Sequence, residues 1–157
     1  MSSSIVWSQN VIQPDPRASE FAQFKRVLEW TSAVVTRTLH EEGKLGSQVF
    51  FVRMGEKTIG RVGVVSMAND NGGSDRHLEI MHQVVALDHV DVAAFVREAS
   101  EPDPATGTER PVVMFHLMGK VFEVTVLARR GASRPALEQA RLTISQLHPK
   151  TSNGWRQ

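Results

Sequence analysis

Two groups of side chains in this sequence have the types from which active sites are built. His116 and Glu123 lie in alternating apolar and polar segments, Val112 to Met118 and Lys120 to Ala128, separated by Gly119-Lys120. Pairing Met118 with Val121 sets His116 opposite Glu123, and cross-strand neighbours lie about 5 Å apart at Cβ, near enough for a carboxylate to orient and charge an imidazole. That is part of a hydrolytic triad. The nucleophile is the missing part: no Gly-x-Ser-x-Gly occurs, and the hydroxyl close to the pair in sequence is Thr125. An ion pair that only braces the hairpin accounts for the same two residues.

The second group is His77, Glu79, His82, His89 and Asp91, metal-capable side chains within one short stretch. If His77 to Leu87 is a strand, His77 and Glu79 share one face and His82 takes the other. The histidines are also five apart, whereas a metalloprotease helix needs four. Asn69 to Asp75 has the oxygens of a calcium loop, but the twelfth position counted from Asp70 is Met81 where that chemistry needs glutamate. Gly60 and Gly63 open no helix after a strand, so they form no phosphate loop and read as a bulge or a close approach of backbone. No cofactor motif is present.

A third candidate is a basic surface of Arg129, Arg130, Arg134 and Arg141, gathered near the start of a C-terminal helix. Nucleic acid is a weak expectation for it. Trp155 is the one aromatic nearby for stacking, and no binding motif can be read.

The elements that must position these residues follow from periodicity. Gly119-Lys120 suits a two-residue type II′ turn. In that register Val113, Phe115 and Leu117 with Phe122, Val124 and Val126 form one apolar face. The other face carries Val112, Met114, His116 and Met118 opposite Leu127, Thr125, Glu123 and Val121, too apolar to be left in water. Val112, Met114, Met118, Val121 and Leu127 are therefore candidate interface residues. Ser133 caps an expected last helix whose stripe is Leu137, Ala140, Ile144 and Leu147, ended at His148-Pro149.

Upstream, Ile5 to Ile12 reads as a short strand or arm, and Asp15-Pro16 opens a helix from Arg17 to about His40 with Phe21, Phe24, Leu28, Val35 and Leu39 on one face. Gln48 to Met54 and Lys57 to Met67 read as a hairpin across Gly55-Glu56. A third strand, His77 to Leu87, precedes a short helix capped by Asp88 or Asp91, with Val92, Phe95, Val96 and Ala99 as its apolar face. The expected fold class is α+β, a single five-stranded, mostly antiparallel sheet with helices packed on it, in the order α-β-β-β-α-β-β-α. Residues 1–16 form an arm, 17–149 the domain and 150–157 a polar tail. This order of elements is similar to that of several small α+β families, among them the dimeric chaperones of type III secretion, a likeness that stops at element order and carries no residue across.

At 157 residues the chain is large enough for a core without metal or disulfide staples. It has no cysteine, which rules out thiol chemistry and fits a reducing compartment, and no stretch approaches the roughly 20 apolar residues of a membrane span. A cytoplasmic location is expected. The net charge of +1 hides a division: residues 68–103 hold two basic and eight acidic side chains, residues 110–157 eight basic and two acidic. These halves neutralise each other, join copies, or present a basic surface.

The leading expectation, from the surplus apolar surface, the divided charge and the want of a catalytic motif, is a non-catalytic, protein-binding or chaperone-like adaptor that forms a homodimer. A structural subunit of a larger assembly, such as a virion or secretion machine, is the second, and a hydrolase or metal enzyme built on His116 and Glu123 or on the His77 to Asp91 group is the third.

Overall fold

In the computed structural model, which describes residues 15–56, 58–67, 76–130, 137, 138 and 140–150, the first helix begins where the sequence places it. Asp15 is extended and its carboxylate accepts from the Arg17 amide at 3.1 Å, and Pro16 follows where a missing N–H costs nothing. Helix α1 runs over Pro16–Glu42 and ends at Gly43, whose φ of 76° lets its amide reach the Leu39 carbonyl. Phe24, Val27, Leu28, Val35 and Leu39 are buried along it, as the stripe requires, and two polar residues, Glu20 and Thr31, are buried with them.

Among the described residues the sheet has six strands, β1 (Gln48–Met54), β2 (Ile59–Ser66), β3 (Val92–Pro102), β4 (Glu109–Met118), β5 (Phe122–Arg129) and β6 (His148–Pro149), in the spatial order β2-β1-β3-β4-β5-β6 and antiparallel throughout. Helix α2 spans Arg76–Val85. The class is α+β as expected, with one strand more. α1 covers one face, packing on Phe50, Ala94, Val96, Phe115, Leu117 and Val124. α2 covers part of the other, with Met81 and Val85 against Val49, Ala93, Phe95 and Met118.

Three elements differ from the sequence reading, each for a physical reason. The expected strand at His77 to Leu87 is α2: its apolar residues alternate over a short span but also recur at helical steps through Leu78, Met81 and Val85, and the helical face is the one that finds the sheet. The expected helix after Asp91 is β3. Val92 to Val96 are buried on both faces because this strand lies between β1 and β4 with a helix on either side, and such a run has no period to read. The expected helix from Ser133 is absent among the described residues. Leu137 bridges to Arg130 and His148 pairs with Glu123, anchors that lie about 23 Å apart along β5, whereas the eleven intervening steps in helical form would reach only about 16 Å. Among its described residues the segment has no α-helix, only a 3-10 turn at Ile144–Gln146. The observed order of elements is thus not the one on which the likeness to secretion chaperones rested.

The late hairpin has the expected faces in a different register. Met118 pairs with Glu123 and His116 with Thr125, a slip of two residues, which preserves every side chain's face. The turn is Lys120-Val121, closed by the Gly119 amide on the Phe122 carbonyl at 2.8 Å. Gly119 has no positive φ and so does not serve a type II′ turn. Its role is clearance: a Cβ there would lie 2.5 Å from Glu20 Oε1. In β2, the Gly60 bulge expected from the sequence appears as a register shift between Arg53 and Met54, whose partners are Arg61 and Ile59. The Ile5 to Ile12 arm, the Asn69 to Asp75 loop, Ser133, Arg134 and Trp155 lie outside the described residues.

Gly119→Ala is expected to push the Glu20 carboxylate off the turn amides and cost about 1–3 kcal/mol, the scale of leaving buried donors unsatisfied. Urea unfolding measures this, and the penalty should largely vanish in a Glu20→Ala background.

Candidate functional site

The hairpin does bring His116 and Glu123 together. His116 Nε2 lies 2.9 Å from Glu123 Oε1, reached diagonally across the strands, and Nδ1 lies 2.7 Å from the hydroxyl of Thr125 directly opposite. Glu123 is buried, His116 half-buried and Thr125 exposed. The three form a hydroxyl–imidazole–carboxylate chain on the sheet face that α2 leaves open. Chemistry needs more than this. The hydroxyl stands on the sheet face while the amides of β4 and β5 lie in the sheet plane, so these two strands aim no pair of N–H groups at an atom that Thr125 could attack. The chain of hydrogen bonds satisfies a buried carboxylate, and a bracing role accounts for it fully.

The residues proposed for metal do not assemble. His77 stacks on the Phe95 ring at 3.9 Å between centroids, and Glu79 points roughly 200° round the helix from it. Asp91 accepts from the Met54 amide at 2.8 Å, tying β1 to the start of β3. Among the described residues no three His, Cys, Asp or Glu side chains form a group that could hold a metal ion.

The basic surface is neutralised in part within the chain. Arg130 meets Glu98 at 2.8 Å, Arg110 meets Glu101 at 2.8 Å, and Arg129 approaches the same carboxylate at 4.0 Å. The pairs join the last acids of the acidic middle, Glu98 and Glu101 on β3 and Asp103 just after it, to Arg110, Arg129 and Arg130 of the basic end. Arg141 is elsewhere, on the rim of the groove described below. The expected interface residues also divide. Met118 lies under α2 and Val112 is buried, so both belong to the chain's own core; Met114 is half-buried, and Val121 and Leu127 remain exposed.

One concavity was not visible in the sequence. It is a groove of about 960 Å³ between α1 and the segment around Leu137–Thr143. Leu28, Ala33, Leu137, Ala140 and Leu142 supply its apolar surface, and Lys25, Glu29, Arg37, Glu138 and Arg141 supply charges of both signs. No ion pair engages these five charges among the described residues. A sequence reading that coils residues 133–147 into a helix closes this space, which is why it could not be anticipated.

The groove's far wall is held by a junction at the start of α1. The buried Glu20 carboxylate accepts from the amides of Val121 and Phe122 at 2.9–3.3 Å. Arg17 lies over the Phe122 ring and donates to the Leu147 carbonyl at 2.6 Å. Lys150 donates its amide to the Val121 carbonyl, and Lys120 caps the end of α2 through the carbonyls of Val85 and Leu87. The signal for Glu20 was present: an acid one turn before Phe24 in an apolar helical stripe. Partial burial lowers the pKa of the Lys150 side chain, with Lys120 acting in the same direction and the charges of Glu20 and Glu123 opposing.

Comparison with protein-family models, with curated proteins and with solved structures returned no match.

The Lys150 shift has a testable sign. The folded state holds this proton less tightly than the unfolded chain, so the ammonium opposes folding in full below its folded pKa, and the cost lifts as pH rises toward the ordinary 10.5. Lys150→Met should therefore raise the urea midpoint at neutral pH, with a gain that shrinks as pH approaches that value; a gain that grows with pH would contradict the assignment.

Proposed function

We propose that this chain is a non-catalytic binding protein that takes a segment of another protein into the groove between α1 and residues 137–143. The observation that carries this reading is the groove itself. It is open along one side, its apolar surface is continuous with the core through Leu28, and its unpaired charges suit a peptide bearing both signs. A volume of this size is ample for the anchor side chains of a helical or extended peptide. The bracing geometry at His116 supports the same choice over hydrolysis. No helix among the described residues is long and apolar enough to cross a membrane. A cytoplasmic setting belongs to the same reading and rests on the cysteine-free composition.

The test is selection of random peptides of about 10 residues, up to roughly 35 Å when extended, on the immobilised protein. Selected peptides should bind the His116→Ala variant as they bind the parent. Ala33→Trp, which fills the groove from an exposed helix position, should weaken them at least tenfold, about 1.4 kcal/mol. Binding indifferent to Ala33→Trp would overturn the groove as the site.

A further inference from the structure

The sheet's two edges are treated differently by the chain. The outer edge of β5 is partly closed by β6 and by the Arg130–Leu137 bridge. The outer edge of β2 has no strand or bridge against it among the described residues. The Met67 amide bonds the Ser47 carbonyl at 2.8 Å, which sets the phase of the β1–β2 ladder. Gly63 and Val65 therefore direct their amides and carbonyls inward to Phe51 and Val49, while Val62, Val64 and Ser66 direct theirs outward.

Open edges are normally blunted by charge, proline or a bulge. Here the Gly60 bulge and Arg61 guard only the turn end. From Val62 to Ser66 the edge carries neither charge nor proline, and Val64 and Val65 are 49% and 36% exposed.

We propose that β2 pairs antiparallel with β2 of a second copy about a two-fold axis at Val64, joining two sheets into one across a homodimer. The strand is complementary to itself in this register. Val64 faces its own copy and Val62 faces Ser66 of the partner subunit, so every outward N–H and C=O of the three residues finds a partner. Moving the axis by one residue would centre the pairing on Gly63 or on Val65, whose groups already bond β1. On the α2 side of the sheet, Gly63 faces Val65 of the partner subunit. The Phe51 ring occupies the place of the missing Gly63 side chain, and the incoming valine packs on it. Arg61 faces Met67 of the partner subunit, so no like charges meet along the strand. Isologous pairing of this kind closes after two copies. It goes beyond the groove reading, since the groove lies across α1 from this edge and stays open in the pair.

Light scattering across a concentration series tests it. The parent protein should approach about 35 kDa, twice the 17.4 kDa of one chain. Val64→Lys should be monomeric with an unchanged circular dichroism spectrum, because the site is half exposed and like charges would oppose across the axis. Val64→Glu alone should also be monomeric, and mixing the two variants at low salt should restore the dimer mass, which happens only if position 64 faces itself. A parent that stays monomeric at every concentration, a Val64→Lys dimer, or a mixture that gains no mass would each overturn the pairing.

Discussion

The structure turns on one buried carboxylate. Glu20 sits in the apolar stripe of α1, where a charge taken from water is costly unless it is bonded. It is bonded: the amides of Val121 and Phe122 point at it, two donors that the hairpin turn does not otherwise use. This one contact chooses the turn residues and with them the register of β4 and β5. It also explains Gly119, the residue over which the carboxylate must pass. Charge-assisted bonds to backbone are among the stronger ones available to a protein, and these join elements about 100 positions apart in sequence.

The C-terminal segment is fastened to the same place. Arg17, three residues before Glu20, binds the Leu147 carbonyl, and Lys150 binds the Val121 carbonyl within the turn. At its other end the segment is tied by the Arg130–Leu137 bridge and by the Glu138 amide on the Arg129 carbonyl. A chain held at both ends along β5 cannot be one continuous helix and still span the distance, and without that helix space remains between the chain and α1. The groove is thus a consequence of where the anchors fall. The paired arginines on β4 and β5 add little energy at the surface. They do show that Glu98, Glu101 and Asp103, at the end of the acidic middle, are partners of Arg110, Arg129 and Arg130 inside one chain.

Much of this fold was legible. The cap at Asp15, the stripe of α1, the limits of β1, the faces of the late hairpin and the contact of His116 with Glu123 all follow from residue types and spacing. The errors came where two periods fit one stretch or none did. Leu78, Met81 and Val85 lie at helical steps while Leu78 and Ile80 alternate, and only the covering of Val49 and Met118 decides between them. Val92 to Val96 are apolar at every position because the strand is central, a tertiary fact with no local signature. Leu137, Ala140, Ile144 and Leu147 have helical spacing, yet Ile144 is exposed and the segment is straightened by its anchors. The groove depended on that last segment and was missed with it.

The most direct measurement is amide hydrogen exchange of the parent and Glu20→Ala proteins, followed residue by residue under conditions where both remain folded. If the junction holds the groove's far wall, the change must travel: Val121 and Phe122 should lose protection, and so should Glu138 and Leu147, while the β1–β3 ladder keeps its own. Loss confined to Val121 and Phe122, with Glu138 and Leu147 unchanged, would show that Glu20 satisfies two turn amides and organises nothing beyond them.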